Sequence, residues 1–189
     1  MSREIVQTGD PVLRGIANKV PKEDFGSAKL HTLIQDMKKL LAKEKYGVAL
    51  AAPQVGESLR LFIVAGTAIE KRKKAAAERG KEAAAEADMP TDLPAQAGDQ
   101  VYINPELLKV SRTKKDKHEG CLSVRGTWGM VPRAEKATIK AYDENGKPFT
   151  RGASGLLAHI FQHEMDHLEG VLYTDKAKEL YDEREQPEE

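Results

Sequence analysis

The amino-acid sequence predicts an α+β fold, with mixed or antiparallel β-sheets around a central helix late in the chain and an amphipathic helix near the N-terminus. Three observations carry this expectation. Apolar residues recur at helical spacing just after Ser27, short β-rich runs bounded by turn residues fill the middle, and a strongly apolar helical stretch follows near the end. Strands placed early and a long helix placed late make the α+β class.

The elements follow in order. Leu30, Leu33, Ile34, Met37, Leu40 and Leu41 recur three and four apart, which puts them on one helix face, and Gly47 provides a stop. Such a stripe buries one side of a helix and needs no chemistry. Beyond the Gly- and Ala-rich residues 47–56, residues 59–64 read as a strand, as do 101–103 before Asn104-Pro105. Between them lies an insertion, 67–98, rich in Ala, Lys and Glu. Its first half is expected to be a solvated helix with a weak point at Gly80, and its second half, with Pro90, Pro94 and Gly98, a mobile loop.

Further on, residues 136–142 and 147–150 flank Asp143-Glu144-Asn145-Gly146, and Asn-Gly between two such runs signals a hairpin. A helix is expected over 152–168, ended by Gly170. These elements suggest one catalytic domain over 1–175 and an acidic tail over 176–189, expected as a solvated helix or frayed end.

The 30 Lys and Arg balance the 30 Asp and Glu, so no global field draws the chain to nucleic acid or an anionic membrane. No apolar run reaches the roughly 20 residues of a membrane span, and residues 1–20 lack a signal-peptide core, which suggests a cytoplasmic protein. The single cysteine, Cys121, cannot form an intrachain disulfide; it packs, reacts or binds metal.

The late helix carries His163-Glu164-Met165-Asp166-His167, an H-E-x-x-H pattern that sets two imidazoles one turn apart on one face. Leu156, Leu157, Ile160 and Phe161 make that helix largely buried, where unpaired ionisable groups are expensive and a bound cation removes the difficulty. A third ligand is needed. Glu169 is too near on the same helix, which leaves Cys121, placed just after Gly120, as the candidate. Two imidazoles and a thiolate keep one position open, as catalytic rather than structural sites do.

Three separated segments then resemble the peptide deformylase family in order: Gly47-Val48-Ala49-Leu50-Ala51-Ala52-Pro53-Gln54, Glu119-Gly120-Cys121-Leu122-Ser123, and Gln162-His163-Glu164-Met165-Asp166-His167. The chain departs from that pattern at Ala49, where the family has a second glycine. A methyl group there is strained if the backbone needs a positive φ, and narrows the pocket if substrate lies against it. The resemblance implies one divalent metal on Cys121, His163 and His167, with Fe(II) expected in the cell and Zn(II), Ni(II) or Co(II) possible after purification. It implies proton transfer by Glu164 and an oxyanion site made by the Gln54 amide and the Leu122 N–H.

It also implies that N-formylmethionyl nascent peptides are the substrates and formate a product. Gly47, Val48, Glu119, Gly120, Leu156, His159 and Ile160 are expected around the substrate, with His159 lining the pocket or supporting the ligands. Nascent-chain substrates suggest a transient encounter with ribosomes, although the acidic tail opposes contact with ribosomal RNA, and no nucleic-acid sequence specificity or membrane contact is expected. Arg133 is expected near an acidic group, whereas His31 and His118 are expected to be solvated. Two alternatives stay open: a general metallopeptidase, and a catalytically silent metal-binding or interaction protein.

Overall fold

The computed structural model describes residues 3–68 and 98–182. Among these residues two α-helices, α1 (Ala28–Lys43) and α2 (Gly155–Leu168), accompany eight strands: β1 (Ala49–Ala51), β2 (Leu61–Val64), β3 (Gln100–Val110), β4 (Lys114–Cys121), β5 (Val124–Ala134), β6 (Lys136–Tyr142), β7 (Pro148–Ser154) and β8 (Glu179–Asp182). The larger sheet has the order β1-β2-β3-β6-β7 and the smaller β4-β5-β8. Pairing between the named strands is antiparallel throughout, so the mixed alternative falls away. All of the 67–98 insertion except residues 67, 68 and 98 falls outside the described residues, so the helix and loop expected there, with Gly80, lie beyond them.

Helix α1 begins where Ser27 Oγ accepts the Leu30 N–H at 3.2 Å, satisfying one of the free donors of the first turn. Leu30, Leu33, Ile34, Met37 and Leu41 are its buried face. The other core layer is α2, whose Phe161 meets Tyr102 edge-on at 5.2 Å, while Tyr102 stacks on Phe62 at 4.6 Å. Burying such side chains contributes about 2–3 kcal/mol each, and this aromatic contact fixes the helix against the larger sheet.

Strand β2 begins two residues later than the expected 59–64, whereas β3 and β7 run further than the sequence suggests. β3 continues past Asn104-Pro105 because its pairing with β6 shifts register between Ile103 and Glu106. Asn104 takes φ 48° there, a conformation that Asn tolerates, and its side chain exchanges two 2.8 Å hydrogen bonds with the Val20 backbone. β7 likewise extends to Ser154, since Thr138, Ala137 and Lys136 pair with Gly152, Ala153 and Ser154. Helix α2 therefore begins at Gly155 rather than 152, with Gly155 at φ 55° turning the chain out of the ladder. At its other end Gly170 takes φ 71°.

β4 and β5 form a long hairpin that their charged sequence hides. The tail expectation is also corrected: residues 179–182 are neither helix nor frayed end but β8, with Trp128 opposite Tyr181 and Met130 opposite Glu179. Pairing along β5 satisfies backbone groups that a lone acidic segment would leave to water.

Candidate active site

Three elements bring the site together. The end of β4 supplies Glu119, Gly120 and Cys121; α2 supplies His159, His163, Glu164 and His167; the 3-10 turn Ala52–Val55 supplies Gln54. They border a cleft of about 410 Å³ whose wall also includes Gly47, Val48, Ala49, Leu122, Leu156 and Ile160. His167 sits behind that wall, 1% exposed.

Ligand atoms of Cys121, His163 and His167 lie within 4.8 Å of one another. Cys121 Sγ is 3.2 Å from His167 Nε2, close to the roughly 3.5 Å that separates sulfur and nitrogen ligands in a tetrahedral shell. His163 directs Nδ1 at Glu119 Oε2, 2.7 Å away, which leaves Nε2 for an ion. The donor set thus fits a divalent cation.

Electrostatics agree. Burial pushes the Cys121 thiol up, but the charges of His167 and His163 outweigh it and bring the pKa down to about 5, so the group is a thiolate at neutral pH. Burial likewise opposes ionisation of Glu119, yet hydrogen bonds from Arg133, His159 and His163 hold that carboxyl well below the usual carboxylate range. Burial lowers the pKa of His159, despite its bond to Glu119. Glu164 differs: burial dominates and raises it to about 7. Its Oε2 is buried with no hydrogen-bond partner among the described residues, as is His167 Nδ1.

The neighbouring turn aims a donor at the same place. Gln54 Oε1 accepts the Ala51 N–H at 2.8 Å, which orients its amide so that Nε2 lies 3.4 Å from Cys121 Sγ and 3.2 Å from Ser123 Oγ. Two glycines permit close approach: a Cβ on Gly47 would lie 2.9 Å from Glu44 Cβ, and one on Gly120 would lie 3.1 Å from the Trp128 ring. Ala49 lies in extended β1 opposite Val64, and Asn104 is the only non-glycine with positive φ among the described residues. The backbone at Ala49 is therefore unstrained, and its methyl group both joins the core and lines the cleft.

Glu119 borders the cleft as expected, while both its carboxylate oxygens are engaged inward, by Arg133 at 2.5 and 3.0 Å, His159 at 2.7 Å and His163 at 2.7 Å. His118 is not solvated: it is half-buried on the cleft wall, its Nδ1 against Tyr181 Oη of β8, whereas His31 is exposed. Motif reading missed Asp166 and Lys176. Arg133 Nη1 reaches Asp166 at 2.7 Å, and Lys176 reaches the other Asp166 oxygen at 2.5 Å. Asp166 stands inside the H-E-x-x-H pattern, which was the available signal.

An α+β fold holding a thiolate and two imidazoles beside a buried carboxyl defines a metallohydrolase centre. The sequence model of the polypeptide deformylase family matches residues 2–183, and this chain belongs to that family. A peptide deformylase of Dictyoglomus thermophilum is 40% identical over 179 residues, covering 95% of each chain. Among solved structures, the Legionella pneumophila peptide deformylase aligns with a TM-score of 0.73 at 36% identity, covering 94% of this chain and 87% of the other. The Acinetobacter baumannii class I type b enzyme bound to Met-Ala-Ser aligns at 0.74 with 30% identity, covering 93% and 99%.

Proposed function

We propose that this chain removes the N-formyl group from the N-terminal formyl-methionine of newly made polypeptides. Helix α2 holds one divalent cation through His163 and His167, with Cys121 as the third ligand, while α1 serves only the core. The observation that carries this is the convergence of those donors within 4.8 Å beside Glu164. The cation, when bound, supplies Lewis acidity that lowers the pKa of water toward about 7.

The chain's own residues do the rest. Glu164, buried and with a pKa of about 7, takes a proton from the attacking water and delivers it to the departing amine. Water adds to the formyl carbon, the C–N bond breaks, and formate and a free N-terminus leave. The Gln54 amide and the Leu122 backbone N–H donate to the carbonyl oxygen as negative charge develops on it. Val48, Leu156 and Ile160 form the apolar wall for the methionine side chain, and Gly47 and Gly120 border the same cleft.

Nitrogen and sulfur donors accept ferrous iron, which we take as the ion in the cell, as well as zinc, nickel or cobalt after purification. The place of action is the cytoplasm, where nascent chains emerge and a transient ribosome encounter follows; among the described residues no helix is long and apolar enough to cross a membrane. Anaerobic purification, elemental analysis and a formate-release assay with formyl-Met-Ala-Ser on one sample test the proposal. Stoichiometric iron and formate release, both lost on long aeration, are expected. Bound metal without formate would identify a silent metal-binding protein, and internal cleavage products a general metallopeptidase.

A further inference from the structure

His159 is a polar ring in an apolar stretch of α2, between Leu156 and Ile160 on the cleft wall, where packing alone asks for an aliphatic side chain. It stands one helical turn before His163, so both rings face the same way. They meet the same carboxylate: His159 Nε2 lies 2.7 Å from Glu119 Oε1, and His163 Nδ1 lies 2.7 Å from Glu119 Oε2. From another side the Arg133 fork donates Nε to Oε1 at 2.5 Å and Nη2 to Oε2 at 3.0 Å.

Each carboxylate oxygen offers about two lone-pair positions. Arg133 fills one on each oxygen, His163 the second on Oε2 and His159 the second on Oε1. Glu119 is only 3% exposed, so losing His159 leaves Oε1 with Arg133 as its one hydrogen-bond partner among the described residues and a buried lone pair unfilled, and the carboxylate can relieve this by turning its other oxygen away from His163. A ligating imidazole depends on that contact, because the acceptor on its far nitrogen fixes both ring orientation and tautomer.

We propose that His159 is a positioning residue: by occupying Glu119 Oε1 it keeps Oε2 on His163 Nδ1 and so holds His163 Nε2 toward the ion. This rests on Cys121, His163 and His167 being the metal ligands. His159 then acts through two intermediates without needing to touch substrate.

The test compares His159→Leu, which removes the donor, with His159→Gln, whose amide nitrogen falls near the place of Nε2. Zinc-loaded proteins are mixed with a chromophoric chelator, and the rate of zinc loss is followed beside KM and kcat for formyl-Met-Ala-Ser. His159→Leu should lose zinc roughly tenfold faster than the parent, His159→Gln should restore retention, and KM should stay unchanged in both. Equal retention in all three proteins overturns the proposal. So does equal loss in both variants, or a raised KM with retention intact, which would make His159 a substrate contact. Should His159→Leu not fold, His159→Asn, polar but too short to reach Oε1, replaces it. A parent chain that takes up no zinc overturns the metal-site reading instead.

Discussion

The two sheets of this protein are built to different rules. In the larger, β2 is buried along its whole length and the Phe62, Tyr102 and Phe161 rings lock it to α2. In the smaller, three of the four β8 residues and the first three of β4 are exposed, and among the described residues the buried cluster beneath it is Leu13, Val124, Val131, Leu172 and Tyr173, with Val6, Val12, Cys121 and Ala177 packed against it. One sheet is held by apolar burial, the other by its ladder and by charge pairs. The site draws on both, with histidines from the apolar layer and Cys121 from the polar one. Arg133 ties them by reaching Glu119 on β4 and Asp166 on α2. Cys121, His163 and His167, the proposed donors, therefore meet only if the two layers dock.

The contrast extends to the two buried glutamates. Glu119 of the polar sheet has every oxygen paired and stays ionised, whereas Glu164 of the apolar helix keeps an unpaired oxygen and a pKa near 7. The first suits orientation and the second proton transfer. Glu164→Ala separates chemistry from scaffold: kcat/KM for formate release should fall on the order of 10²–10⁴-fold, while bound metal measured by elemental analysis stays unchanged. Metal loss from that variant would place Glu164 in the scaffold.

Stability tests the contrast directly. Phe161→Ala, in the aromatic stack, should cost about 3–5 kcal/mol in denaturant unfolding, whereas Leu180→Ala on half-exposed β8 should change stability by less than about 0.5 kcal/mol. Similar losses would mean that the smaller sheet is as apolar in its energetics as the larger.

A comparably small effect belongs to a charge pair beside the smaller sheet. Arg14 meets Asp175 at 2.5 Å, and this hydrogen bond lowers the Asp175 pKa. Because the folded value is depressed, the contribution is present above the ordinary carboxylate value and lost as pH falls through the lowered one. Both side chains are partly exposed, so screening leaves about 0.5 kcal/mol. Asp175→Asn should therefore flatten the acid side of the stability curve below about pH 4, as read by thermal unfolding at a series of pH values.

Local chemistry made parts of this molecule readable without coordinates. The three-and-four spacing from Leu30 to Leu41, the Asn145-Gly146 turn and the Gly170 stop are short-range signals, and the same holds for two imidazoles one turn apart on α2, since helical geometry alone puts them there. Other features were beyond its reach because their causes lie far along the chain. No element is legible at β4 and β5 in the sequence, since what holds them is pairing with each other, and the acidic segment 179–182 becomes a strand only because β5 offers an edge.

The same division runs through the site. Sequence supplied the residue types, Cys121, His163, Glu164 and His167, whose chemistry is intrinsic to each side chain. Tertiary structure alone decided that Glu119 faces inward to His159, His163 and Arg133 and that Ala49 sits unstrained in a strand. Hydrogen bonds and desolvation depend on neighbours 14 to 44 residues away in sequence, and no periodicity encodes which of them arrive.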